Sequence, residues 1–226
     1  YEGPDAAELG LYTMLDHICT RFACPKKNIS IITGNLLESH LEYRIQRRPP
    51  MWMLQNVQNC KFQVDHPRSP QTKLFGMFIG RHSWQRLWMA AWLHQNYQDR
   101  VIMSYHYDPS HDHEAHLEID ALADHIDWHQ AWALCTDFFQ VLPLRLDDVD
   151  RLPIISPSDL NLLSYYRDFF IEIVCETYLA GKTFFPTEKI WRPILAKKPF
   201  VVMGPQNYLS NLRKLGFQTF DSWWSE

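Results

Sequence analysis

The stretch from Ile171 to Pro205 constrains the fold more than any other part of the chain. An apolar run from Phe169 to Cys175 overlaps its start and has the length typical of a buried strand. After a polar loop, Thr187-Glu188-Lys189 opens an amphipathic helix. A second apolar run, Pro199 to Met203, then ends at Gly204-Pro205. The order strand, loop, helix, strand and turn predicts one βαβ unit of a parallel sheet.

A second unit of the same kind precedes it. Lys73 to Ile79 has the pattern of a strand, and Ser83 is placed to cap a helix from Trp84 to about Asn96. Val101 to Tyr105 is predicted as the next strand. From Lys73 onward the chain therefore alternates strands and helices, which predicts an α/β fold with a parallel sheet.

The remaining helices and strands are predicted from weaker hydrophobic periodicity. We predict helices over Asp5–Phe22, Leu36–Tyr43, Trp128–Val141 and Tyr208–Leu215, and strands over Asn28–Thr33 and Phe217–Phe220. Pro193 is expected in the first turn of its helix, where a missing N–H is tolerated. Asp65 to Gln71 contains two prolines and reads as a linker. It divides the chain into residues 1–70 and residues 71–226.

Charged side chains cluster where the predicted strands end. In open parallel sheets, ligands bind beyond the carboxyl ends of the strands, and a helix N-terminus favours phosphate. Lys189 and Arg192 would add positive charge there, and the carboxylate of Glu188 can accept hydrogen bonds from ribose hydroxyls. We therefore predict a nucleotide-diphosphate site whose substrate-binding residues are Arg81, Arg86, Glu176, Lys182, Thr187, Glu188, Lys189 and Arg192.

Each of these residues also has a structural interpretation. Thr187 can simply be an N-cap, with Glu188 on the helix dipole and with Lys189 and Arg192 in solvent. Arg86 can pair on the surface of its own helix.

A group of histidines and carboxylates between His106 and His116 suggests a metal site, but its spacing fits no structural zinc pattern and favours a solvated loop.

Composition narrows the function classes. The net charge of −4 argues against a general nucleic-acid binder, although nucleic acid is not excluded as an acceptor. No apolar run reaches the ~20 residues that cross a bilayer. Five scattered cysteines form no disulfide framework, so a reducing, cytoplasmic compartment is expected. Tyr1 is not a natural start, and we expect the chain to be a piece of a longer protein.

The central stretch resembles the nucleotide-sugar-binding half of the α-1,3-fucosyltransferase family. Cys175-Glu176-Thr177 stands where that family carries Glu-Asn-Ser, and Phe185-Pro186-Thr187-Glu188-Lys189 stands where it carries Tyr-Val-Thr-Glu-Lys. The run from Pro199 to Pro205 is similar to the following strand, and Phe78 to Arg86 is similar to an upstream strand and helix start. The likeness covers mainly residues 73–220, and only its Thr-Glu-Lys part is specific.

The resemblance implies a GT-B glycosyltransferase with two Rossmann-like lobes, of which the first is short or truncated. Glu188 would hold the ribose, Lys189 with Arg81 or Arg86 would hold the diphosphate, and Glu176 would lie near the sugar. Such enzymes move a sugar from a nucleotide-diphosphate donor to a hydroxyl of a glycan or another acceptor. They generally need no catalytic metal or other cofactor, and the resemblance favours inversion at the sugar carbon. A general base would come from the acceptor-side lobe, where Glu38 is the candidate.

Two other functions remain open at this point. A non-catalytic nucleotide- or glycan-binding module, such as a viral or phage domain with a degenerate transferase fold, is favoured by the short first lobe. A metal hydrolase that uses the histidine group predicts bound zinc.

Overall fold

The computed structural model describes residues 5–48, 72–107, 127–146, 165–179 and 181–222. They form two compact units. The first is made from the described parts of Tyr1–Met51, Thr177–Pro186 and Gly204–Glu226, and the second from those of Trp52–Glu176 and Thr187–Met203. The predicted boundary between residues 70 and 71 lies outside the described residues and stays a prediction, as do the proline-rich linker and the histidine group beyond Tyr107.

Helices and strands alternate through most of the described chain. The helices are α1 (Leu11–Arg21), α2 (Trp84–Tyr97), α3 (Trp128–Phe139), α4 (Glu188–Leu195) and α5 (Tyr208–Lys214). The strands are β1 (Ser30–Thr33), β2 (Arg44–Arg47), β3 (Lys73–Ile79), β4 (Val101–Tyr105), β5 (Phe169–Cys175) and β6 (Phe200–Met203). The α/β class is therefore confirmed, with parallel strands compatible with a Rossmann-like arrangement.

The second unit contains a four-stranded parallel sheet in the order β4-β3-β5-β6. After β3 the chain turns through α2 to β4 on one side, and after β5 it turns through α4 to β6 on the other side. The two connections leave in opposite directions, so the strand order reverses between β3 and β5. Ligands of open α/β sheets bind at such a reversal, beyond the carboxyl ends of the strands.

Alternating side chains divide this sheet into two packed faces. Met77 of β3 and Tyr105 of β4 are buried with α2 and α3, together with the thiols of Cys135 and Cys175. Phe78, on the opposite face, packs with Phe169. Burial on both faces explains why β3 and β5 are continuous apolar runs rather than alternating ones.

Gly76 in β3 is required by the side chain of Phe169. A Cβ built at Gly76 would lie 2.7 Å from two atoms of that ring, which has no exposed surface. We expect Gly76→Ala to lower the free energy of unfolding by about 1–3 kcal/mol, since overpacking forces neighbours out of place. Urea unfolding would measure this cost. In a Phe169→Leu background, Gly76→Ala should lower the free energy of unfolding by less than it does in the parent protein. If the effects of the two substitutions simply add in the double variant, the prediction is wrong.

The first unit contains α1, α5 and a two-stranded parallel pair of β1 and β2. The predicted helix over 36–43 is wrong, because side chains and the distant carbonyl oxygen of Phe184 accept hydrogen bonds from its backbone amides. Asn35 Oδ1 accepts from the Leu37 amide, and His40 Nδ1 accepts from the amides of Glu42 and Tyr43. The chain therefore turns here and enters β2 instead of forming a helix.

Three smaller predictions are also corrected. The segment 217–220 is not a strand, because it folds back on α5: the Phe217 amide donates to the Leu212 carbonyl, and Arg213 donates to Thr219. Pro193 lies inside α4 and beyond its first turn. Ser83 occupies the N-cap position of α2, but its side chain does not cap the helix.

Candidate functional site

Two connections leave the sheet of the second unit at the reversal of strand order. The first follows β3 and leads into α2, and the second follows β5. Arg81 and Arg86 come from the first loop and helix, and Glu176 immediately follows β5. The N-terminus of α4, with Thr187 at its cap, completes the second connection. The sheet topology therefore places six of the predicted residues at its carboxyl edge.

Glu176 and Thr187 are joined by buried hydrogen bonds. The Thr187 hydroxyl donates to Glu176 Oε2 over 2.7 Å, and the Thr187 amide donates to Oε1 over 3.4 Å. Thr187 Oγ1 in turn accepts from the amide of Lys189, which makes it the N-cap predicted from the sequence. Both side chains are almost fully buried. A carboxylate is thus already bound at the positive end of α4.

Lys189 and Glu188 form an ion pair at the same helix end. Lys189 Nζ lies 3.2 Å from Glu188 Oε1 and 3.0 Å from Thr187 Oγ1. Burial lowers the pKa of Lys189 from its ordinary value, and the positive charge of Arg86 lowers it further. The negative charge of Glu188 acts in the opposite direction and raises this pKa. Although burial acts to raise it, the pKa of Glu188 lies below its ordinary value because Lys189 and Arg192 favour the carboxylate.

Arg86 is buried in the first turn of α2, whereas Arg81 is exposed. The Arg86 Nη1 group donates to the Arg81 carbonyl oxygen over 2.9 Å. Its charge acts on the pKa of Lys189 and on that of the Cys175 thiol, which burial raises. Arg86 is in the first turn of α2 after β3, and Lys189 is in the first turn of α4 after β5, so the pairing of β3 with β5 brings both helix starts to one edge of the sheet although about a hundred residues separate them in sequence.

Arg192 points away from this edge and toward the middle of β5. Its Nη2 group donates to Glu172 Oε1 over 3.2 Å, and the Tyr166 hydroxyl donates to Glu172 Oε2 over 2.6 Å. Neither Glu172 nor Tyr166 has exposed surface. Burial raises the pKa of Glu172 to about 7, against the opposing effects of Arg192 and Tyr166. Arg192 therefore anchors α4 to the sheet in this structure.

Glu38 and Lys182, the two remaining predicted site residues, belong to the first unit. The carboxylate of Glu38 is almost fully buried and accepts hydrogen bonds from the Ala6 amide and the Tyr12 hydroxyl, over 2.9 and 2.7 Å. The Lys182 side chain is exposed, and its carbonyl oxygen accepts from the Asn35 side chain. Their catalytic and binding roles stay predictions.

Sequence reasoning missed several polar side chains beside the site. Gln85 is fully buried in the first turn of α2, and His82 Nδ1 lies 2.7 Å from the Tyr105 hydroxyl. Glu172 lies within the predicted apolar run from Phe169 to Cys175. A single glutamate in such a run is itself a signal, because a buried carboxylate needs a partner. Nothing in the sequence singles out Gln85, because its polar type is ordinary in a helix.

Comparison with known protein families, with curated proteins and with solved structures gives no match. Among the described residues, no helix is both long and apolar enough to cross a bilayer. Within the same residues, no three His, Cys, Asp or Glu side chains gather in a way that could hold a metal ion.

Proposed function

We propose that this protein is a glycosyltransferase of GT-B type, which moves a sugar from a nucleotide-diphosphate donor to an acceptor hydroxyl without a catalytic metal and with inversion. The observation that supports it best is the meeting of Arg86, Glu176, Glu188 and Lys189 at the reversal of strand order. Cations and a hydroxyl-binding carboxylate at that edge suit a nucleoside diphosphate. The family resemblance of the Thr-Glu-Lys segment points the same way.

The ion pair between Glu188 and Lys189 suggests how the donor would bind. In the structure the two side chains neutralise each other, with Lys189 Nζ 3.2 Å from Glu188 Oε1. A ribose offers hydroxyl donors to Glu188, and a diphosphate offers acceptor oxygens to Lys189, so the donor would replace one ion pair by two sets of charge-assisted hydrogen bonds. Lys189 and Arg86 would then stabilise the charge that develops on the leaving diphosphate.

Removal of Lys189 should abolish most nucleotide affinity. We expect Lys189→Ala to weaken binding of the preferred nucleoside diphosphate about tenfold or more, since a hydrogen bond to a charged group is worth about 1.5–3 kcal/mol. Glu188→Ala should act similarly through the ribose. A thermal-shift screen with GDP, UDP, CDP, ADP and dTDP, with and without magnesium, identifies the base. A ligand at a hundred times its dissociation constant stabilises the protein by about 2.7 kcal/mol.

Lys73→Ala is the matched control. Lys73 begins β3 at the amino edge of the same sheet, where its Nζ donates to the Asp99 carbonyl oxygen. This variant should bind nucleotide as the parent protein does. If Lys189→Ala changes stability but leaves nucleotide affinity unchanged, the helix end is only a capped terminus and the donor site is wrong. Transfer or hydrolysis of the matching nucleotide sugar then tests catalysis directly.

One observation favours a second function, a nucleotide- or glycan-binding module without catalysis. Both carboxylate oxygens of Glu38, the predicted general base, already accept hydrogen bonds within the first unit. A general base must accept the proton of the acceptor hydroxyl, and both oxygens of Glu38 are already engaged in hydrogen bonds within the protein. Nucleotide binding that is lost in Lys189→Ala, together with no turnover of any nucleotide sugar, would select this function over the transferase.

A further inference from the structure

The first turn of α2 contains polar atoms that make no hydrogen bond. Gln85 has no exposed surface, and neither its amide oxygen nor its amide nitrogen has a hydrogen-bond partner in the part of the chain that the structure describes. The Ser83 hydroxyl beside it is buried and equally without a partner. Buried polar groups are nearly always hydrogen-bonded, because leaving one unpaired costs about 1–3 kcal/mol. Two such residues in one helical turn therefore call for a partner that binds there.

These groups lie at the carboxyl edge of the sheet. The helical hydrogen bonds of α2 begin where the Leu87 amide donates to the Ser83 carbonyl oxygen, so the amides of the first turn have no acceptor within the helix. Gln85 belongs to this first turn, and helical side chains tilt toward the N-terminus. Arg86, also buried, adds a full positive charge. The combination of neutral donors, helix end and guanidinium suits an anion.

The other helix end at this edge is different. At α4, Thr187 already caps the helix, and the carboxylate of Glu176 accepts hydrogen bonds from both its hydroxyl and its amide. A phosphate bound to the backbone amides of that helix end would meet a buried negative charge at short range, which opposes binding to those amides. At α2, by contrast, Ser83 occupies the cap position without capping.

We propose that the first turn of α2, and not the N-terminus of α4, binds the terminal phosphate of the donor, with Ser83 Oγ and Gln85 Nε2 as neutral donors beside Arg86. The identity of the donor rests on the proposed function, whereas the phosphate subsite does not. Because Gln85 is enclosed, a phosphate reaches it only after local opening of the surrounding chain. Once bound it is shielded from water, which strengthens each hydrogen bond.

Inorganic pyrophosphate is the probe, and Gln85→Met is the variant, because methionine has a similar shape and cannot hydrogen-bond through an amide. Calorimetric titration of the variant should show affinity at least tenfold weaker than that of the parent. Its melting temperature without ligand should be equal or higher, since an unpaired buried amide has been replaced by an apolar group. Gln95→Met, at an exposed position on the same helix, should change neither property.

The outcomes separate this subsite from the proposed function. Parent protein that does not bind pyrophosphate, or Gln85→Met that binds it equally well, overturns the subsite. If nucleoside diphosphate binding depends on Lys189 but not on Gln85, the proposed function stands and the subsite falls. If pyrophosphate binding depends on Gln85 and no nucleoside diphosphate binds more tightly than pyrophosphate, the subsite stands and the nucleotide-sugar function falls.

Discussion

Arg192→Met is expected to lower the free energy of unfolding by about 3–5 kcal/mol near pH 8, because it leaves the carboxylate of Glu172 buried without its charge partner. Glu172 would keep only the hydrogen bond from Tyr166. Urea unfolding of the two proteins measures the difference. Arg213→Met is the matched control, since Arg213 pairs with Asp221 at a partly exposed site, and loss of such a pair costs below about 1 kcal/mol.

A second substitution tests the cause. In Glu172→Gln/Arg192→Met neither charge of this buried pair is left, and the glutamine oxygen can still accept from Tyr166. The double variant should therefore recover much of the lost stability, because a buried pair replaced as a whole costs far less than a broken one. A double variant that is as unstable as the sum of its parts would show that Arg192 acts through packing on Phe78 rather than through charge.

Glu172 should also make stability depend on pH. Burial raises its pKa to about 7 in the folded protein, from an ordinary value of 4.5. Below the ordinary value the carboxyl group is protonated in both states, and its favourable contribution to folding is complete. As the pH rises to about 7, the unfolded chain releases the proton first, so this contribution is lost. At about 1.4 kcal/mol for each pH unit of the shift, the loss is about 3 kcal/mol.

Glu172→Gln isolates this effect from that of other carboxyl groups, such as Glu188, whose lowered pKa works in the opposite direction. The parent protein should lose stability relative to the variant between pH 5 and pH 8, and the difference should level off above pH 8. Unfolding free energies measured at intervals through this range give the curve. A constant difference between the two proteins across the range would show that Glu172 does not titrate there.

The sequence predicts the helices and strands of the second unit well. Its helices have one apolar face, and its buried strands are apolar on both faces. Both βαβ units, from β3 to β4 and from β5 to β6, are found where periodicity places them. The N-cap at Thr187 follows from local chemistry within one turn and is confirmed. Burial on both faces of the sheet is what makes these patterns strong.

The failures occur where side chains take over backbone hydrogen bonds. The predicted helix over 36–43 has a suitable apolar pattern, but Asn35 and His40 satisfy its amides instead. The candidate site shows the same limit. Charge and spacing indicate Lys189 and Arg86, whereas the orientation of Arg192 toward Glu172 depends on a partner twenty residues away, across the face of the sheet. No local pattern encodes that pairing.

The neighbouring positions of β3 and β5 also determine the order in which the chain can fold. β3 pairs with β4 after a short connection, but its pairing with β5 joins Lys73 to Phe169. Closing so long a loop is entropically costly, and chains with many distant contacts fold slowly. The carboxyl edge that gathers Arg86 and Lys189 is therefore complete only after this closure. Until then one side of β3 is an open edge that can pair with another chain, so aggregation during refolding should depend on protein concentration.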